Sequence, residues 1–329
     1  MKLTEQLSTE DYHGKHILVT GSSGYLANNL IEFLSDIPCK ITRVSKTGEI
    51  LSLINGKSEI TDIITDISDE HTWQQILPGV DIVFHFAAQT SISKANENPI
   101  YDRNQNVLPL LSLLETCRKY QHHPLILLSS TVAIYGLPEN LPVNECFPNQ
   151  PLSMYEMHKL HCEQYLNYYI FHGYVRGASL RLANVYGPGV KVAAGERGIL
   201  NKMVKRAIHG EALTIYGDGD FYRDYVYIDD VSKAFLTAGL MPDVMNAKTF
   251  IIANGEAYTV KEAIHKIAEI VTKKLGKSIE ISHVALPQSA NILDTRNFKG
   301  NITAFCQATG WQPCVNFEQG IDNTIRALI

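Results

Sequence analysis

From residue 16 to residue 188, short β-rich runs take turns with helical patterns, and that rhythm leaves few folds open. HILVT (16–20), KITRVS (40–45), EITDIITDI (59–67) and DIVFHFAA (81–88) read as strands. PLILLSSTVAIYG (124–136) and GASLRLANVYGP (177–188) read as strands running into loops. Helical patterns lie between them at ANNLIEFLSD (27–36), NVLPLLSLLETCRKY (106–120, despite Pro109) and MYEMHKLHCEQYLNYYIFHG (154–173, stopped by Gly173). Parallel strands need long crossovers, usually helices. The alternation therefore predicts an α/β chain: a Rossmann-type doubly wound parallel sheet with helices on both faces.

After Gly187–Pro188 the rhythm changes. GVKVAAGERG (189–198) reads as a loop, ILNKMVKRAIHGE (199–211) as a helix and LTIYGDG (213–219) as a short strand. YVYIDDVSKAFLTAGL (225–240) begins as a strand and turns helical; TVKEAIHKIAEIVTKKLG (259–276) is a periodic helix capped by Thr259. A chain of 329 residues can fill two lobes. We expect a dinucleotide-binding domain over 1–186, with a later return to its sheet at about 225–255. Residues 187–329 would form mainly a smaller C-terminal α/β substrate lobe.

The first strand–helix junction, VTGSSGYLA, carries glycines where a bound pyrophosphate would need them. Gly21 permits a tight turn and Gly24 lets backbone approach a phosphate, which free N–H groups and the helix dipole then attract. Ala27 keeps the helix close to the strand. The loop residues Gly21, Ser23, Gly24, Tyr25 and Leu26 are the cofactor candidates here. An acidic residue at the end of the second strand would mark NAD by binding ribose hydroxyls. This chain has Arg43-Val44-Ser45-Lys46 instead. Ser45 and Lys46, with Arg43, are suited to a 2′-phosphate, so the strand end favours NADP over NAD.

Thr131, Tyr155 and Lys159 supply a hydroxyl, a phenol and an ammonium. Residues four apart share a helix face, so Lys159 sits beside Tyr155. A nearby cation favours phenolate, and such a tyrosine works as general acid or base while a hydride moves elsewhere. The pair alone is weak: about one Tyr-x-x-x-Lys arises by chance in a chain of this content. Its context gives it weight.

Composition narrows the partners. A net charge of −5 disfavours a nucleic-acid surface. No apolar run reaches membrane-spanning length, and the polar start MKLTEQLSTEDYHGK lacks a signal-peptide core. Cys39, Cys117, Cys146, Cys162, Cys306 and Cys314 form no C-x-x-C pair and fit reduced thiols in a cytoplasmic protein. His122–His123 and His158/His161 are local pairs without further ligands, so no metal is expected.

Taken in order, VTGSSGYLA, Asp66-Ile67, HFAAQTS (85–91), Asn106-Val107, SSTVAIYG (129–136), Tyr155/Lys159, RLANVYGPG (181–189), IYGDGDFYRDYVYIDDV (215–231) and GWQP (310–313) resemble the extended short-chain dehydrogenase/reductases. Within these they resemble the nucleotide-sugar epimerase/dehydratase family, over about residues 15–313. The resemblance implies that Asp66 and Ile67 contact adenine and that Phe86, Ala87 and Ala88 line the dinucleotide. Ser129 would lie near the nicotinamide. Thr131 would hydrogen-bond the reacting sugar oxygen, Tyr155 would act as acid/base, and Lys159 would hold the nicotinamide ribose. Gln89, Ser91, Asn184, Arg223 and Arg296 become substrate candidates, the arginines and Asn184 at the nucleotide diphosphate. The resemblance also implies a homodimer built on the helices 106–120 and 154–173.

The loop after the fifth strand separates reactions. Relatives that dehydrate or decarboxylate resemble a pattern with acidic residues after the threonine; here Val132 and Ala133 stand there and carry no proton. That leaves an NAD(P)-dependent nucleotide-sugar epimerase, which oxidises a carbinol to a ketone and returns the hydride to the other face. The alternatives are an NADPH-dependent nucleotide 4-keto-6-deoxysugar reductase and, in another class, a non-catalytic NADP(H)-sensing protein.

Overall fold

The computed structural model describes residues 9–47, 56–189, 198–286 and 292–329. Most of the anticipated loop 189–198 lies outside them. The first strands and helices are β1 (His16–Thr20), α1 (Tyr25–Ser35), β2 (Lys40–Ser45), β3 (Glu59–Ile64), α2 (Glu70–Ile76) and β4 (Ile82–His85). They continue with α3 (Ile92–Glu97), α4 (Pro99–Tyr120), β5 (Leu125–Thr131), α5 (Met154–Phe171), β6 (Arg176–Leu182) and β7 (Asn184–Tyr186). Then come α6 (Ile199–Ile208), β8 (Leu213–Tyr216), β9 (Tyr222–Tyr227), α7 (Ile228–Gly239), α8 (Pro242–Met245) and β10 (Lys248–Ile252). The chain closes with β11 (Ala257–Thr259), α9 (Val260–Leu275), β12 (Ile281–Val284), α10 (Thr303–Thr309) and α11 (Phe317–Leu328).

Seven strands form one sheet in the order β10-β6-β5-β4-β1-β2-β3, and every pairing is parallel. The two-residue period sorts side chains between its faces. Ile17, Val19, Ile82, Phe84, Leu125 and Leu127 face a core closed by α1 and α7. Leu18, Val83, Ile126 and Leu128 face the opposite core, filled by Trp73 of α2, Leu110 and Leu114 of α4 and Leu166 of α5. Burial on both faces is why these strands read as unbroken apolar runs. The return of the chain to the sheet is β10, seated against β6.

A second core joins α6, α9 and α11 through Leu200, Val204, Ile264, Ile267, Ile321 and Ile325. Two small sheets, β11-β9-β7 and β12-β8, complete this region. Thr259 caps α9, its hydroxyl accepting from Glu262 N while Glu262 returns a carboxylate to the Thr259 N–H.

Inside the large sheet, Arg181 of β6 forms an ion pair with Glu163 of α5 at 2.6 Å, both side chains buried. Ser130 donates to the same carboxylate at 2.5 Å, and the guanidinium lies 4.7 Å from the Tyr135 ring centre. Removing one partner strands a buried charge. Arg181→Met is expected to lower unfolding free energy by about 3–5 kcal/mol, and a double Arg181→Met/Glu163→Leu change to recover most of it. Urea titration of the three proteins measures both effects; a single-variant loss below about 1 kcal/mol contradicts the assignment.

Candidate active site

Strand order reverses between β1 and β4, and ligands of open α/β sheets bind at the carboxyl ends of strands at such a point. The loops after β1 and β4 meet there through a glycine. Gly21 has φ +64, and a Cβ on it would lie 2.8 Å from Ala87 Cα. A Cβ on Gly24 would meet Gly21 O at 2.8 Å. The cradle therefore depends on both glycines. Gly24 is the N-cap of α1 and offers no side-chain cap, so the first-turn N–H groups stay open to an anion. Leu26 packs partly buried between the two lobes' cores. The Tyr25 side chain turns away from the cradle: its hydroxyl donates to Gly187 O at 2.8 Å and its ring lies in the second core. Only backbone remains at Tyr25 for a cofactor.

At the expected ribose end the basic groups are already partnered. Arg43 makes a two-pronged pair with Asp62 at 2.6 Å. Lys46 pairs with Asp66 at 2.8 Å, and that contact first of all holds the Asp66 carboxyl down at about 2. The Ser45 hydroxyl donates to Thr47 O. Ile67 is buried, and its carbonyl accepts from the indole of Trp73.

At the other end of the cleft, α5 opens on a capping box: Ser153 Oγ accepts from Glu156 N while Glu156 Oε2 accepts from Ser153 N. This cap fixes the turn that carries Tyr155, a half-buried residue. One turn on, Lys159 is 5% exposed and its ammonium donates to Ser129 O at 2.9 Å. Burial lowers its pKa, opposed by the charges of Glu163 and Asp102. Thr131 ends β5, its hydroxyl accepting from Ala133 N at 3.2 Å. Val132 is buried in the short helix that follows.

Sequence reasoning missed a buried polar assembly behind this site. Asp102 accepts from Gln89 Nε2 at 2.7 Å, Asn106 Nδ2 at 3.0 Å and His158 Nδ1 at 2.6 Å. Asn106 Oδ1 in turn accepts from Gln89 N. Ser91 caps α3 and donates its N–H to Gln89 Oε1. Gln89 and Ser91 thus fasten the loop after β4 to α4 and α5. His158 belongs to this pair with Asp102 rather than to His161. Among the described residues no His/Cys/Asp/Glu group suited to a metal occurs. His85, also missed, is buried at the end of β4 and held neutral, its pKa pushed down to about 3 by burial and by the Lys159 charge. No spacing rule could have located either; the family-like Asn106-Val107 pair was the one hint.

The substrate candidates lie toward the second lobe. Asn184 is exposed on β7, paired with Tyr225 of β9. Arg223 on β9 donates to the carbonyls of Arg296 and Asp294 and lies over the Phe221 ring; burial pulls its pKa down to about 10. The neighbouring carboxylates have other partners: Asp224 takes backbone N–H groups of Asn254, Gly255 and Gly300, and Asp229 takes Asn29. Arg296 turns its guanidinium to Glu156 at 2.6 Å and to Ala133 O at 3.1 Å.

A doubly wound sheet with a glycine cradle at its switch point and a Tyr-x-x-x-Lys helix beside it defines an NAD(P)-dependent enzyme of the extended short-chain dehydrogenase/reductase class. The model of the NAD dependent epimerase/dehydratase family matches residues 17–253, and the chain belongs to that family. It is 30% identical over 321 residues to a putative UDP-glucose 4-epimerase of Methanocaldococcus jannaschii, covering 94% of this chain and 97% of that protein. A UDP-glucose 4-epimerase of Mycolicibacterium smegmatis is 28% identical, with 94% and 96% covered. The crystal structure of a Thermotoga maritima UDP-glucose 4-epimerase with UDP-glucose superposes with a TM-score of 0.84 at 29% identity, covering 95% and 98%. The Thermus thermophilus UDP-glucose 4-epimerase complex with NAD gives 0.79 at 28%, again over 95% and 98%.

Lys159→Met separates the role of the buried charge from that of its packing. Replacing the buried ammonium by an apolar chain of similar length removes its desolvation cost but takes a donor from the Ser129 carbonyl, so stability is expected to change by no more than about 1–3 kcal/mol. Turnover is expected to fall by about 10²-fold or more. Thermal unfolding and kcat measured together test this; retained turnover removes Lys159 from the chemistry.

Proposed function

We propose that this nucleotide-sugar epimerase inverts the 4-carbinol of a UDP-hexose with NAD kept bound through the cycle. The carrying observation is the buried Lys159 ammonium, one turn from Tyr155 and bonded to the Ser129 carbonyl on the strand that Thr131 ends. The cradle around Gly21 and Gly24 fits a dinucleotide, because backbone there packs too closely for side chains and the first N–H groups of α1 carry no side-chain cap. NAD, when bound, supplies acceptance and return of one hydride.

In this reading Tyr155 takes the proton of the sugar hydroxyl and later gives it back. Thr131 holds the sugar oxygen, and Lys159 binds the nicotinamide ribose while its charge favours the phenolate. Gly21, Ser23, Gly24 and Leu26, with the Tyr25 backbone, hold the pyrophosphate. Asp66 and Ile67 border the adenine; Phe86, Ala87, Ala88 and Ser129 line the nicotinamide half. Asn184 and Arg223 hold the substrate diphosphate, Arg223 as a two-pronged donor. Residues 1–186 with β10 carry the cofactor, and 187–329 mainly the sugar nucleotide.

Two features support NAD over NADP. Arg43 and Lys46, the cations that suited a 2′-phosphate, are neutralised by Asp62 and Asp66. The reductase alternative rested on the missing acidic residue at the end of that strand. We place the enzyme in the cytoplasm, as a homodimer through α4 and α5, which pack on each other and leave Ile100, Leu108, Tyr165 and Phe171 exposed. Among the described residues no helix is long and apolar enough to cross a membrane.

UDP-glucose carrying deuterium at C4 tests the reaction. The expected product is UDP-galactose with the label retained, no net change in NADH, and no label acquired from D2O in the converse experiment. Stoichiometric consumption of NAD(P)H sinks the epimerase. For the cofactor, Asp66→Ala releases Lys46 and is expected to shift the NADP/NAD affinity ratio by about tenfold toward NADP, roughly one exposed charge–phosphate contact. An unchanged ratio by calorimetric titration shows that Lys46 does not face the ribose.

A further inference from the structure

Glu156, the residue after Tyr155, is fully buried, and its Oε2 is committed to the N–H groups of Leu152 and Ser153. Its Oε1 accepts from Arg296, which lies 140 residues further along the chain. The same guanidinium donates from its second arm to Ala133 O and from Nε to Leu293 O. Ala133 N in turn donates to the Thr131 hydroxyl. A planar fork bridges two acceptors in fixed positions; an ammonium is a point charge and does not.

The backbone of this segment faces the other lobe. Arg223 donates to the carbonyls of Arg296 and Asp294. Asn297 Oδ1 accepts from Tyr222 N at 2.7 Å, and Phe298 N donates to Tyr222 O at 3.1 Å. One short segment is therefore stitched to β9 through its backbone and the Asn297 side chain, and to Ala133 and to Glu156 of α5 through the Arg296 side chain.

We infer that the Arg296–Glu156 pair is a strap that fixes the diphosphate anchor relative to the acid/base, so that Arg296 is a positioning residue rather than a phosphate ligand. The inference rests on the epimerase reading. An epimerase must present both faces of one sugar carbon to the same hydride site while the diphosphate stays held. The span from Arg223 to Tyr155 must then be the same before and after the sugar turns. A misplacement of about 1 Å can cost about 10²-fold in rate.

The test uses the NAD-bound enzyme, UDP-glucose as substrate and UDP as ligand. Glu156→Gln keeps an oxygen for the helix cap and removes the charge; Arg296→Lys leaves the cap untouched and removes the fork. Each is expected to lower kcat about tenfold while KM and the UDP Kd stay within about twofold, and the double variant to lose little more than either single one. In hydrogen exchange, UDP is expected to protect the amides of residues 153–157 in the wild type and not in Arg296→Lys. If Glu156→Gln fails to fold, Arg296→Lys carries both readouts. Tenfold weaker UDP binding in Arg296→Lys with unchanged kcat makes Arg296 a phosphate ligand and overturns the strap. So does equal protection in wild type and variant. A wild type that binds no UDP overturns the functional reading, and the strap with it.

Discussion

A lysine ammonium buried one helix turn from a tyrosine is the constraint around which this molecule is arranged. Taking the Lys159 charge out of water is costly, and the fold offsets it with the Ser129 carbonyl and the fields of Glu163 and Asp102. These groups come from the end of β5, from further along α5 and from α4. They converge only if α5 packs along the face of β5 and β6 with its first turn, and Tyr155, toward the carboxyl end of β5. The Arg181–Glu163 pair and the His158–Asp102 bond hold α5 there from two sides. The helix that carries Tyr155 and Lys159 is thus secured by buried polar contacts as well as by the packing of Cys162, Leu166, Tyr169 and Ile170, and the polar contacts narrow its arrangement further.

The same device recurs at the cofactor loops. Backbone at Gly21 and Ala87 approaches too closely for any side chain. Thr20 accepts from Ala87 N and bonds His85, so the loop after β4 is held at its start. Gln89, Asn106 and Asp102 hold it further on. Both ends of the loop after β4 are tied to the sheet and to α4, and the residues between them, Phe86 to Ala88, are the ones proposed to line the dinucleotide.

The strands β1 and β2 were legible to the residue: β1 is an apolar run buried on both faces, and β2 carries Ile41, Thr42 and Val44, β-branched residues suited to a strand, between turn signals. The helix α4 begins at Pro99, seven residues before the anticipated start. PIYDRNQN shows no apolar period, since its buried residues, Asp102 and Asn106, are polar. The Asn98 cap and the proline at the first helical position were present as signals. The short helices α2 and α3 carry too few turns to show a period at all. In the candidate site, the positions of Thr131 at a strand end and of Tyr155 and Lys159 one helix turn apart could be read, because such spacings are fixed; their roles remain the proposal. The partners of Lys46, Arg296 and His158 could not. Pairing across the fold follows no spacing, and a basic residue looks the same in sequence whether it awaits a phosphate or already faces a carboxylate.

The loop after β5 bears on why rigidity matters here. In the proposed mechanism Tyr155 is the proton carrier, and Val132 and Ala133 put no acidic neighbour directly after Thr131 to share the work. A single acid/base and a single hydride site cannot move to the other face of a sugar. The sugar has to move to them, about a diphosphate that stays in place. Selection on such an enzyme acts on the distance between two anchors rather than on a second catalytic group. A buried ion pair joining the lobe that holds one anchor to the helix that holds the other keeps that distance constant through the turn.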